Sequence, residues 1–84
     1  METERPKKDL EERTFKFARD IRAIFRQLPR DVINTADGTQ LVRSSGSIGA
    51  NYIEAQEALS KKDFAMRIKH ARKEAKASRY WLSL

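Results

Sequence analysis

Leu41-Val42-Arg43-Ser44-Ser45-Gly46-Ser47-Ile48-Gly49-Ala50-Asn51-Tyr52-Ile53-Glu54-Ala55 is the stretch whose reading decides the fold. Leu41, Ser45, Ile48, Tyr52 and Ala55, continued by Leu59, recur at alternating steps of four and three, the spacing of one helical stripe. Val42, Gly46, Gly49 and Ile53 fill a second apolar or small face, and Arg43 is the only charge between Leu41 and Ile53. A helix with so little charge around its circumference belongs in the middle of an assembly. Gly46 and Gly49 each cost about 1 kcal/mol of helix propensity relative to Ala. Their presence in a helix therefore calls for a closely approaching neighbour, and both are assigned to a candidate oligomer interface. The helix is expected over residues 35–58, capped by Asn34 or Asp37.

The same rhythm extends to both sides. Leu10, Thr14, Phe17, Ile21, Ile24 and Leu28 form a stripe that Phe25 widens, predicting a helix over residues 9–28 that starts at Asp9 and stops at Pro29. Residues 1–8, polar and holding Pro6, are expected to be a flexible arm ahead of a single domain over 9–84. Downstream, Ser60 and Asp63 read as a capping pair that opens a third helix over 61–83, with the stripe Phe64, Ile68, Ala71, Ala75, Ser78 and Leu82. No Gly, Asn or Pro closes that helix, and the chain looks cut short after Tyr80, Trp81, Leu82 and Leu84. Three matching stripes predict one all-α helical bundle.

Eighty-four residues allow one domain with a marginal core, so several copies are expected to share their apolar surface. The absence of Cys excludes disulfides and thiolate metal sites, and no apolar run approaches the roughly 20 residues needed to cross a bilayer. A soluble, cytoplasmic protein is expected, with no membrane partner. The net charge of +6 is uneven: residues 1–28 contribute +2, residues 29–59 contribute −2, and residues 60–84, with eight basic and two acidic side chains, carry the whole excess. An electrostatic partner belongs on the third helix first.

There Lys62, Lys69, Lys73 and Lys76 gather on the side away from the core stripe. Such a row suits contact with the phosphates of RNA or DNA, and it also matches an ordinary solvated helix face. A second weak stripe, Met66, His70, Ala77, Trp81 and Leu84, is a candidate intermolecular seam, or the place where a further helix lies. It also supports a different reading, an adaptor or accessory subunit that docks a protein partner around Trp81. On the second helix Arg43, Ser47 and Glu54 share one edge with Asn51 beside them, a set suited to a structural polar network. No nucleophile is paired with a base and His70 stands without a second His or Cys, so neither an enzyme nor a metal or other cofactor is expected.

The segment from Gln40 to Leu82 resembles the four-helix bundle protein family that includes the intervening-sequence proteins of bacterial large-subunit ribosomal RNA genes. The likeness rests on Gln40-Leu41-Val42-Arg43-Ser44-Ser45, on Ser47 through Ala55, and on Ser60, Phe64, Ala71 and Arg72. With the helix from Phe17 to Pro29 it covers about four-fifths of the chain. The resemblance implies an antiparallel up-down bundle that assembles into a homo-oligomer, with a pentamer favoured, and a kinship to retroelement accessory proteins that bind nucleic acid and a reverse transcriptase. It assigns no firm activity to ordinary members. Such proteins usually continue past the position of Leu84 into a fourth helix, missing here, which implies either truncation or completion by a neighbour. They also often carry Glu where this chain has Ala77, a carboxylate that Arg43 or Arg72 would pair with, and this adds Arg72 to the polar network.

Overall fold

The computed structural model describes residues 5–84, with side chains from Asp9 onward. The described chain is all-helical: α1 spans Arg5–Gln27, α2 Val32–Gln56 and α3 Lys61–Ser83. Of the arm expected over residues 1–8, the first four lie outside the described residues, whereas residues 5–8 belong to α1. Pro6 is tolerated there because the amides of a first helical turn have no intrahelical acceptor to lose.

α2 starts three residues earlier than expected. Asp31, with extended backbone at φ −144° and ψ 173°, is its cap, and its carboxylate accepts from the Asn34 amide at 2.7 Å. Asn34 instead donates its side-chain amide to the Pro29 carbonyl at 2.9 Å and ties down the connection. The apolar pattern hides this start because Val32 and Ile33 face solvent, leaving capping chemistry as the only local signal. At its other end α2 gives out at Gln56, two residues short of expectation, where the amides of Glu57 and Ala58 turn back to the carbonyls of Glu54 and Ala55 at 3.2 and 3.1 Å. Ser60 caps α3 as the sequence predicts, accepting from the Asp63 amide at 3.1 Å.

α2 is the central rod, packing α1 on one flank and α3 on the other, while the backbones of α1 and α3 nowhere come within 8 Å of each other, Cα to Cα. The pairs run in opposite senses. Phe25, Arg22 and Thr14 lie over Gly38, Gly46 and Gly49, and Glu54 and Arg43 face Arg67 and Glu74, so both neighbours are antiparallel to α2. Close approach is set by small residues on both flanks. A Cβ on Gly38 would stand 2.8 Å from a Phe25 ring carbon, and one on Gly49 would stand 3.0 Å from Thr14 Oγ1. On the other flank Ser44 and Ser78, both fully buried, share a hydrogen bond of 2.8 Å between their hydroxyls.

The interior is thin, with Ile21, Leu41 and Ala55 as the fully covered apolar side chains. Between the flank of α2 that meets α1 and the flank that meets α3 runs the stripe Leu41, Ser45, Ile48 and Tyr52. Helical phase turns Leu10, Ile24 and Leu28 of α1 and Phe64 and Leu82 of α3 into the same angle, and all five are about half exposed. The three helices thus enclose an apolar trough that is open along one side.

Candidate functional site

α3 has two differently charged sides because its sequence interleaves two periodicities. Asp63, Arg67, Glu74 and Ser78 turn toward α2, where Glu74 and Arg67 form ion pairs of 3.3 Å with Arg43 and 3.1 Å with Glu54. Lys62, Lys69, Lys73 and Lys76 fall on the opposite side and are exposed. Lys69, Arg72, Lys73 and Lys76 line a shallow depression of ≈ 240 Å³ on this outer surface. The one acid of that part of the helix, Glu74, is engaged by Arg43, so no carboxylate neutralises the row from within it. Repulsion among these cations falls when an anion binds, so the surface suits a polyanion.

The polar set of α2 is organised differently from the expected network. Ser47 Oγ donates to the Arg43 carbonyl at 3.0 Å and Asn51 Nδ2 donates to the Ser47 carbonyl at 2.9 Å, so both are spent on their own helix. Arg43 and Glu54 do not meet each other. Each crosses to α3, and with more than half of each side chain exposed these are surface ion pairs that stabilise by at most about 1 kcal/mol each. Arg72 joins neither pair and stands among the lysines.

The candidate interface residues also separate. Gly46 and Gly49 face α1 of the same chain, Gly46 beneath the Arg22 guanidinium and Gly49 beneath Thr14. Their role in the described structure is helix packing within one molecule. Gly38, which meets Phe25 most tightly, is not singled out by the sequence because it precedes the charge-poor run, although a glycine two turns before Ser45 on the same stripe is the available signal. Met66 and His70 are exposed, whereas Trp81 is half-buried and holds Tyr80 edge-on with ring centroids 5.1 Å apart. On the far side of the α1–α2 contact a groove of ≈ 630 Å³ runs over Gly46, Gly49 and Ala50, with Phe15 and Ile53 on its walls. The Arg19 guanidinium stands 5.7 Å from the centre of the Phe15 ring and keeps one face of it partly covered.

Among the described residues, no helix is long and apolar enough to cross a membrane and no three His, Cys, Asp or Glu side chains gather as a metal site. No curated protein and no solved structure matches the chain. A family model does, over residues 7–84, which takes in all of α2 and α3 and nearly all of α1. With the charge-poor central helix and its two antiparallel neighbours in place over that whole span, the chain belongs to the family described as 23S rRNA-intervening sequence protein.

Proposed function

We propose that this protein is a non-enzymatic, self-assembling helical module that holds nucleic acid by its phosphates along the outer face of α3. The observation that carries the reading is the division of the molecule into two faces. The apolar trough gathers half-exposed Leu10, Ile24, Phe64 and Leu82, and the outer side of α3 carries Lys62, Lys69, Arg72, Lys73 and Lys76. A trough of that composition is relieved by copies of the same chain, with a pentamer as the favoured assembly, and assembly multiplies a cationic row that is weak in one copy. The family description makes structured RNA the first probe.

Native mass measurement tests assembly: the wild type is expected as a defined oligomer, and Ile24→Glu with Leu82→Glu as a smaller species. A monodisperse monomer for the wild type at micromolar concentration removes this half. Binding of a structured RNA is expected to weaken steeply with salt, with a slope that flattens when Lys69, Lys73 and Lys76 become Glu. Salt-independent binding, or none, removes the other half. A second reading, docking of a protein partner along Met66, His70 and Trp81, draws support from the exposure of Met66 and Leu84. A pull-down with Trp81→Ala as control separates it from the first.

A further inference from the structure

The outer face of α3 does not end in a lysine. Tyr80 stands four residues beyond Lys76, seven beyond Lys73 and eleven beyond Lys69, the intervals that return a helix to the same side. At a rise of about 1.5 Å per residue, it lies roughly 16 Å along the axis from Lys69. Tyr80 is 57% exposed and points away from the trough. Its ring is nonetheless not loose. Trp81, half-buried, packs against it with ring centroids 5.1 Å apart and 74° between planes. A rigid aromatic plate with two side-chain torsions loses little freedom when something stacks on it. With the side chain 57% exposed and its neighbour nearly perpendicular to it rather than stacked on it, ring surface remains for a planar ligand.

We propose that the C-terminal part of α3 recognises an unpaired base beside a phosphate track, the base stacking on Tyr80 while Lys69, Lys73 and Lys76 hold the adjoining phosphates. The proposal rests on the nucleic-acid reading above and adds what that reading lacks, a preference for a strand end or flank over a continuous duplex. Lysines alone cannot make that distinction, because phosphates are present in both. A tyrosine can, because only an unpaired base offers its full ring face, and stacking tolerates any base.

The test compares a blunt RNA duplex with the same duplex carrying a short single-stranded overhang, by fluorescence anisotropy of the labelled RNA at fixed salt. Wild type is expected to favour the overhang by about fivefold or more, the lower end of what one base–aromatic stack contributes. Tyr80→Phe should keep that preference and Tyr80→Ala should lose it, with affinity for the blunt duplex unchanged. Trp81, the only tryptophan, gives a second readout, since a base seated on Tyr80 changes its fluorescence with the overhang and not with the blunt duplex. Equal binding of the two duplexes by wild type, or a preference that survives Tyr80→Ala, overturns the proposal while leaving the phosphate reading intact. A change in the mass of the assembly on Tyr80→Ala, with no change in preference, gives the ring to a neighbouring copy and overturns it as well. If no RNA binds in a salt-dependent manner, both readings fall together.

Discussion

Replacing Gly38 and Gly46 by Ala, one at a time, is the sharpest test of how α1 sits on α2. Each change gains about 1 kcal/mol of helix propensity, because both positions lie inside the same helix and glycine is the poorer former. The two differ in what the new methyl meets. At Gly46 the nearest atom is the Arg22 Nη2 at 3.3 Å, the far end of a flexible side chain that solvent can take up. At Gly38 the methyl would stand 2.8 and 3.0 Å from Phe25 Cδ1 and Cε1, parts of a rigid ring that moves only if the whole side chain or the helix moves. Overpacking of that kind costs about 1–3 kcal/mol. The propensity gain is common to both variants and cancels in the comparison, so Gly38→Ala should be less stable than Gly46→Ala by roughly that amount. Urea unfolding followed by circular dichroism reads the difference, at one protein concentration so that any association is held constant. Phe25→Leu should recover part of the loss in the Gly38→Ala background. Equal stability of the two variants would refute the contact, and Gly46→Ala as the weaker variant would place α1 elsewhere on α2.

Three further outcomes follow from other contacts. Ser44→Ala and Ser78→Ala should each destabilise by about 1 kcal/mol, and the double variant should cost less than their sum, because one hydrogen bond is lost in all three; strict additivity in a double-mutant cycle would dissolve the pair. The Asp20 carboxyl is held below its ordinary value chiefly by the hydrogen bond from Lys16, which outweighs the opposing effect of desolvation, with lesser help from the charges of Lys16 and Arg19. A depressed carboxylate contributes its stability above the unfolded value, and that contribution disappears as pH falls below about 4 and through the folded value; an NMR titration should show Asp20 rising in Lys16→Met, and no movement would contradict the pairing. Arg43→Ala and Arg67→Ala should each cost about 1 kcal/mol, since one member of each pair, Arg43 or Glu54, is more than half exposed, and a cost above about 2 kcal/mol in chemical denaturation would mean that the pairs are more deeply buried than the structure has them.

The sequence was most legible where one helix explains itself. The four-three spacing located α1, α2 and α3, Ser60 marked the start of α3, and Lys69, Lys73 and Lys76 fell on one solvent face because 100° per residue is a property of any single helix. Reading failed where two similar local signals competed. Asn34 and Asp37 are the caps that the spacing offers for α2, but Asp31 carries an equivalent side chain, and only the hydrogen bond from the Asn34 amide to its carboxylate tells that Asp31 is the one used. It failed again for Arg72, whose placement in a network came from a likeness to other chains and whose side chain lies on the far side of α3 from Arg43's partner.

What the residues determined unaided was therefore the set of rods, their polarity of charge and the centrality of the one poorest in charge. What only the tertiary structure decided was partnership: Phe25 over Gly38, Ser44 against Ser78, Arg43 with Glu74 and not Glu54, and an angle between α1 and α3 that leaves a trough open. The reason is one of range. Periodicity and capping act within about one turn of the chain, so they are written in neighbouring letters. Which rods touch depends on how near two backbones come, a distance set jointly by small residues that are separated by dozens of positions in the sequence.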